Sequence, residues 1–381
     1  QYVLVVGGLG YIGSHTSWEL LKEGYSVIIL DNLSNSYKTA LERLERLKSE
    51  HYKGKACQPS IEFYECDYRN EAIVRFILNR HKTTEQDIKN PQPTATGQTD
   101  IVGLIHFAAY KAVPESIQQP LRYYSNNVAG MIDFCTLMGE YEIKNFIFSS
   151  SAAVYGEVTP PTGRIPEDYC THKTTDWTDV NGNAHTTHGG CTAITNPYGR
   201  SKWMCEAILN DLAISDPSWS IMALRYFNPI GCDPSAIIGE DPRTPPQNLM
   251  PVVIKVMTGE IPALTVFGTD WETRDGTAIR DFIHVTDLAR GHLAALAAVV
   301  GASPIKGFHT FNLGTGRGQT VKEIVTAMET TSGKPIPTNP TGRREGDVKM
   351  CVAEPVKAAT QLHWQTEKSL QDCCDDLMRF L

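Results

Sequence analysis

Seven residues near the start, Gly7-Gly8-Leu9-Gly10-Tyr11-Ile12-Gly13, constrain this chain more than any other stretch. They follow Val3-Leu4-Val5-Val6, an unbroken apolar run of the kind found in strands covered on both faces. After the glycines a helical pattern runs to about Glu23 and stops at Gly24, and a second apolar run, Ser26 to Leu30, ends on Asp31. Strand, glycine turn, helix, strand and acid in that order describe one parallel βαβ unit. Read from Gly8 the glycines fit G-x-G-x-x-G, and read from Gly7 they fit G-x-x-G-x-x-G. Either spacing lets backbone approach a pyrophosphate and points a helix N-terminus at it. An acid closing the second strand suits a ribose diol and repels a 2′-phosphate, so the expected dinucleotide is NAD rather than NADP.

The alternation continues. Apolar runs at Ile61 to Glu65, Ile101 to Phe107, Asn145 to Phe148, Ile221 to Phe227 and Thr310 to Leu313 read as strands, separated by helical patterns near 38–50, 123–141 and 287–300. Several strands empty into small or polar residues: Asp67 after the third, Ala108-Ala109-Tyr110-Lys111 after the fourth, Ser149-Ser150-Ser151 after the fifth. Ligands bind beyond the carboxyl ends of strands in such sheets. The expected fold is therefore α/β, a Rossmann-type doubly wound parallel sheet with a smaller C-terminal α/β substrate domain. From about residue 242 the composition shifts, with Pro242, Pro245, Pro246, Pro251 and Pro262 interrupting regular pattern. The division expected is 1–226 plus about 281–313 for the dinucleotide-binding domain, and about 227–280 plus 314–381 for the substrate domain.

A chain of 381 residues has ample length for two such units. Its net charge of −8 argues against a nucleic-acid partner or an anionic membrane surface, and no apolar run approaches the roughly 20 residues of a membrane helix. Ten cysteines without framework spacing, together with an N-terminal strand where a signal peptide would lie, give the expectation of reduced thiols in a cytoplasmic protein.

Chemistry is concentrated at Asn196-Pro197-Tyr198-Gly199-Arg200-Ser201-Lys202. Asn is a favoured helix N-cap and Pro suits the first helical position, which puts Tyr198 in the first turn and Lys202 one turn later on the same face. A phenol and an ammonium so placed form an acid/base device. To act as a base near neutrality the phenol must fall from its ordinary pKa of about 10 by roughly 4 kcal/mol. A dipole end alone does not supply that, whereas Lys202 and a second positive charge, such as an oxidised nicotinamide, do. Such a pair in isolation is more often a surface contact; the glycine turn at the other end of the sequence reverses that judgement.

Two stretches fit no element. Residues 81–100 are polar and of low complexity, and read as a loop. Between Ile165 and Thr195 the chain carries Cys170, His172, His185, His188 and Cys191, but their spacing matches no standard zinc pattern, so no metal is expected and a surface insertion near the active site is. Farther on, Arg343-Arg344-Glu345-Gly346-Asp347 sets two guanidinium groups in a glycine-flanked loop, a geometry suited to a diphosphate.

Gly7 to Gly13 continuing through Ser14-His15-Thr16, Ile105-His106-Phe107-Ala108, Ser149-Ser150-Ser151, Tyr198-x-x-x-Lys202, Arg225-Tyr226-Phe227-Asn228-Pro229, Asn248-Leu249-Met250-Pro251 and Arg344-Glu345-Gly346-Asp347 together resemble the UDP-galactose (UDP-glucose) 4-epimerases, extended members of the short-chain dehydrogenase/reductase family. The resemblance spans nearly the whole chain. It implies a tightly held NAD, a UDP-hexose substrate and a homodimer. It implies Tyr198 as the base toward the sugar 4-hydroxyl, Ser151 on the reacting oxygen, and Lys202 on the nicotinamide ribose, lowering the phenol pKa. A hydride would leave C4 for NAD and return on the other face of a 4-keto sugar. Gly7, Gly10, Tyr11, Ile12, Gly13, Asp31, Asn32, Ser36, Asp67, Tyr68, Phe107, Ala108, Ala109, Lys111, Asn127 and Phe227 fall where the family contacts NAD. Arg280 and Arg344 would clamp the diphosphate, Asp347 the uridine ribose and Phe267 the uracil, with Asn228, Asn248, Leu249 and Cys351 also against substrate.

Departures from the family pattern bear on function. Ala153 stands where Thr is common, Ala109 and Pro114 stand where Gly is often found, and the 81–100 and 168–195 insertions have no counterpart in short members. Cys351 occupies a position that some epimerases fill with tyrosine; a thiol leaves room for a 2-acetamido group, so UDP-GlcNAc and UDP-GalNAc are expected as further substrates. The nearest rivals in the same fold are 4,6-dehydratases and reductases, and outside it a non-catalytic NAD-binding protein. Dehydratases carry an Asp-Glu pair just before Val-Tyr-Gly, whereas here those places are Ala152 and Ala153. A protein that only bound NAD would not need Tyr198 and Lys202.

Overall fold

The computed structural model describes residues 1–82, 99–158, 160–190, 193–246 and 248–381. Seven strands form one parallel sheet in the order Gly307–Leu313, Ser220–Tyr226, Asn145–Ser151, Ile101–His106, Tyr2–Val6, Ser26–Asp31 and Ile61–Glu65. Chain order therefore reverses between Tyr2–Val6 and Ile101–His106, where Val6 is in register with His106. A crevice opens at such a switch point, just beyond the strand ends. Gly7 and Phe107 stand on its two lips.

The unbroken apolar runs behave as strands buried on both faces. Val3 and Val5 point to one face with Leu20, Ile29, Leu288 and Leu296, under helices Tyr11–Lys22 and Val285–Val300. Leu4 and Val6 point to the other with Ile28, Phe134, Phe146 and Leu209, under helices Glu71–Arg80, Gly130–Glu140 and Pro197–Ser215. Alternate residues of one strand thus feed two cores, which is why the run cannot be interrupted by a polar residue. A third core gathers Val253, Ile324, Met328, Cys373, Cys374 and Leu377 from helices Leu249–Met257, Val321–Ser332 and Leu370–Phe380. The adjacent cysteines are packing residues there, both buried thiols. Among the described residues no helix is long and apolar enough to cross a membrane.

The polar stretch after Ile165 is more ordered than a plain loop. Thr175–Thr178 and Ala184–Thr187 pair as an antiparallel hairpin, turned at Asp179, whose carboxylate accepts from the backbone N–H groups of Asn181 and Asn183 at 2.9 and 2.8 Å. Among the described residues no three His, Cys, Asp or Glu side chains converge as a metal site. His185 pairs with Asp179 and stacks on Trp177, and His172 turns inward to Glu206; Cys191 lies outside the described residues. Of the 81–100 loop, residues 83–98 lie outside the described residues, and Lys82 and Thr99 bridge across its base.

Candidate active site

A cavity of about 610 Å³ occupies the crevice, within the range of small-molecule and cofactor sites. At one end Gly7 turns with φ +80°, and a Cβ on Gly13 would sit 2.2 Å from the Gly7 carbonyl oxygen. Helix Tyr11–Lys22 starts at Gly10, which supplies no side-chain cap, so its first N–H groups face the cavity. Asp31 closes the next strand. Its carboxylate accepts from Leu9 N at 3.0 Å, Leu33 N at 2.9 Å and Ser36 Oγ at 2.9 Å. Three of its roughly four lone-pair sites therefore hold the glycine turn and the following loop, and one on Oδ2 remains for a hydroxyl.

At the other end stands the phenol. Helix Pro197–Ser215 begins as the local sequence dictates: Asn196 Oδ1 accepts from Gly199 N at 2.9 Å, with Pro197 in the first position. Gly199 lets this helix approach the serine strand, since a Cβ there would lie 2.5 Å from the Ala153 carbonyl oxygen. Tyr198 and Lys202 both line the cavity. Lys202 is buried; its ammonium donates to the Ser149 carbonyl and lies 4.8 Å from the Phe148 ring centroid. Burial pushes this lysine down to about 8.

The phenol is not activated by the protein alone. Burial raises the Tyr198 pKa above its ordinary value, against a smaller downward pull from the nearby Ser151 hydroxyl, which can donate to it. Lys202 does not bring it toward neutrality, because its ammonium is directed to the Ser149 carbonyl and burial dominates at the phenol. The protein alone holds a protonated tyrosine, so a base here requires the second positive charge.

Of the residues singled out from sequence, Gly7, Gly10, Tyr11, Ile12, Gly13, Asp31, Asn32, Ser36, Tyr68, Phe107, Ala108, Ala109, Lys111, Tyr198, Lys202 and Asn248 line this one cavity. Asp67 lies beside it, held below the usual carboxylate range by Arg69, with Asn32 also donating to it. Asn127 is buried with its amide fully engaged: Oδ1 accepts from Tyr110 N and Asn126 Nδ2, and Nδ2 donates to the Tyr110 carbonyl and Ser201 Oγ. Phe227 is buried in a small core with Tyr155, Ile165 and Cys170, and Cys351 packs against that core. Ser151 caps the short turn at Ala152–Val154, accepting from Ala153 N at 3.2 Å.

The remaining residues gather apart from the cavity lining. Arg344 donates to both carboxylate oxygens of Asp347, at 3.2 and 2.9 Å, and its guanidinium lies 5.2 Å from the Phe267 ring centroid. Arg280, on strand Ile279–His284, feels the charges of Asp347 and Arg344 and neighbours Cys351. It gives one bond to the Ile279 carbonyl and has no ion pair among the described residues. A half-buried guanidinium without a carboxylate partner is a ready anion site. The loop reaches the phenol's helix through Thr195 Oγ1, which donates to the Gly346 carbonyl at 3.0 Å. Asn228 starts a short strand parallel to Phe282–His284, and Leu249 starts helix Leu249–Met257.

Several cavity residues went unread in the sequence. Glu240 is raised by burial, lies 3.8 Å from Lys111 and accepts from Asn248 at 3.1 Å. Tyr226 donates to His292 Nε2, whose Nδ1 is committed to the Leu288 carbonyl. A third group forms a clasp: Thr244 donates twice to Asn35 Oδ1, from N at 3.0 Å and Oγ1 at 2.8 Å, while Arg243 reaches the Ser36 carbonyl and stacks on Tyr37. These hydrogen bonds join residues 207 and 209 positions apart, beyond any local pattern.

Residues 3–314 match the family model described as the NAD dependent epimerase/dehydratase family. The chain belongs to this family. It is 41% identical over 378 residues to the UDP-glucose 4-epimerase of Bacillus subtilis, covering 99% of this chain and 96% of that one. It is 42% identical over 386 residues to the UDP-glucose 4-epimerase of Mus musculus, covering 100% and 96%. Among solved structures, the UDP-glucose 4-epimerase of Bifidobacterium longum, in complex with NAD+ and UDP, superposes with a TM-score of 0.82 at 39% identity, covering 100% of this chain and 98% of that one.

Proposed function

We propose that this protein is a UDP-glucose 4-epimerase that interconverts UDP-galactose and UDP-glucose with a resident NAD. The observation that carries the reading is that one cavity joins the glycine cradle and Asp31 to the phenol of Tyr198. The residues fit the coenzyme: the Gly7–Gly13 turn excludes side chains where a pyrophosphate would lie, and Asp31 keeps one acceptor site for the ribose. NAD, when bound, supplies a positively charged hydride acceptor for C4 of the sugar. The protein does the rest. Tyr198 takes the 4-hydroxyl proton and returns it, with Ser151 donating to the oxygen where charge develops. Lys202, fixed on Ser149, keeps an ammonium beneath them. Arg280 and Arg344 hold the diphosphate and Asp347 the uridine ribose, so the nucleotide stays anchored while the sugar turns over. The dehydratase reading lacks its acid and base, since Ala152 and Ala153 form the turn after the serine strand. Incubating the protein with UDP-galactose and no added NAD, then separating products by chromatography, tests the proposal. UDP-glucose is the expected product; a dehydrated 4-keto-6-deoxy sugar would establish the rival, and unchanged substrate would end the reading.

The finer assignments extend this proposal. The seven-stranded sheet and its helices, residues 1–226 plus about 281–313, form the NAD domain, and about 227–280 plus 314–381 the UDP-sugar domain. A homodimer is supported by Ile73, Phe76 and Ile132, exposed on the adjacent helices Glu71–Arg80 and Gly130–Glu140, and the molecular mass in solution tests it. Cys57, Cys66, Cys135, Cys205, Cys232, Cys351, Cys373 and Cys374 are free thiols, which supports a cytoplasmic location.

Cys351 neighbours Arg280 across paired strands. With a thiol there, UDP-GlcNAc is expected to be converted at a rate within about tenfold of UDP-galactose, and Cys351→Tyr to lower that conversion while sparing the hexose. One clash of this kind changes discrimination by about 10- to 200-fold. Equal loss on both substrates would refute this role.

The clasp closes over the same cavity. Asn35→Ala removes two hydrogen bonds worth together about 1–2 kcal/mol, and so is expected to speed release of bound NAD about tenfold, measured by exchange with labelled NAD. An unchanged exchange rate would mean that the clasp does not gate the coenzyme.

A further inference from the structure

Below the catalytic pair lies a sealed charge cluster. Glu206 is one helical turn past Lys202 and two past Tyr198, on the same face, and is fully enclosed. Its carboxylate accepts four bonds: from Ser150 Oγ at 2.5 Å, from Arg225 Nε at 3.0 Å and Nη2 at 2.7 Å, and from His172 Nε2 at 2.9 Å. Arg225, also fully enclosed, uses its other donors on the Tyr155 hydroxyl and the carbonyls of Glu167 and Cys170. All five of its N–H groups are therefore engaged. Against its burial, the Arg225 guanidinium and the His172 contact hold the Glu206 carboxylate ionised, down to about 2, so the ring nitrogen facing it is the donor of that bond.

This cluster grips the strand that serves the reaction. Within Ser149-Ser150-Ser151 the first residue receives Lys202 through its carbonyl, the second is bonded to Glu206, and the third presents its hydroxyl to Tyr198. Ser150, Glu206 and Arg225 belong to the sheet and the catalytic helix. His172 does not: it comes from the insertion at 168–195, wedged against Trp203 and Phe308.

We propose that His172 is a positioning residue, through which the insertion locks Glu206 and Ser150 and so sets the placement of Ser151, Lys202 and Tyr198. The inference rests on the epimerase reading. His172 touches no residue assigned to the diphosphate or the uridine, so its loss acts on turnover and not on substrate affinity. Displacement of catalytic groups by a fraction of an ångström costs about tenfold or more in rate.

The test uses the NAD-loaded enzyme with UDP-galactose. His172→Ala is expected to lower kcat about tenfold with KM and bound NAD unchanged, and His172→Gln, which keeps an N–H donor, to recover most of the rate. His185→Ala, in the same insertion but bonded within its hairpin among the described residues, is expected to keep full kcat. Should His172→Ala not fold, Ser150→Ala removes a single hydroxyl from the same cluster and is expected to show the same fall in kcat at constant KM. The proposal is overturned if kcat is unchanged in folded His172→Ala or in Ser150→Ala, if Gln restores nothing, or if His185→Ala falls equally. Loss of activity only in proportion to loss of NAD would also overturn it, by marking a merely structural role. An inactive wild-type enzyme would instead sink the epimerase reading, so the two failures are distinct.

Discussion

Tyr198→Phe yields a folded protein that still carries NAD and whose conversion of UDP-galactose has fallen by about 10²–10⁴-fold, the range for removal of a positioned proton-transfer group. Without the coenzyme's charge, burial keeps the phenol protonated, so the substitution removes no charge from the coenzyme-free protein. It conserves volume and deletes one contact with Ser151, a cost of about 1 kcal/mol. Activity and stability therefore separate. Turnover is followed by chromatography without added coenzyme, bound NAD by absorbance after denaturation, and folding by thermal melting. Turnover near that of the unaltered protein would mean that another residue supplies the base.

Gly13→Ala is expected to do the opposite, sparing the catalytic groups and emptying the coenzyme site. The new Cβ would lie 2.2 Å from the Gly7 carbonyl oxygen and 2.8 Å from the Gly8 Cα, both backbone atoms that cannot rotate away. The turn must open. Overpacking of this kind costs about 1–3 kcal/mol, and it falls on the backbone that receives the pyrophosphate. Purified protein should hold less than about a tenth of its NAD and melt several degrees lower. Gly139→Ala, in helix Gly130–Glu140 away from the cavity lining, is the internal comparison: its Cβ would meet nothing nearer than 3.6 Å, so the coenzyme should remain. Equal NAD content in the two variants would mean that crowding at Gly13 does not control the cradle.

What the sequence disclosed, and what it withheld, divides by distance along the chain. The helix start at Asn196-Pro197-Tyr198 could be read because cap, first position and base lie within three residues, and the Asn196–Gly199 bond forms as the pattern requires. The strand runs could be read because residues buried on both faces leave no polar gap. The hairpin at Thr175–Thr187 also carries a local signal: Asn181-Gly182 is a tight-turn pair, and Gly182 has φ +84°. Glu206, Arg225 and His172 were out of reach. Their spacing reports burial but not partners, and the bonds join residues 19 and 34 positions apart. The phenol's surroundings were only partly legible for a related reason. The i, i+4 rule places Lys202 on the right face but does not say that Ser149 will take its ammonium. The clasp between Asn35 and Thr244 is a meeting of two loops with no periodicity at all.

That clasp has a consequence at the scale of the cell. If the clasp holds NAD from one turnover to the next, as proposed above, the catalyst draws on no free pool. Its throughput should stay level as the surrounding ratio of oxidised to reduced nicotinamide nucleotides swings with metabolic state, leaving sugar interconversion insulated from respiration.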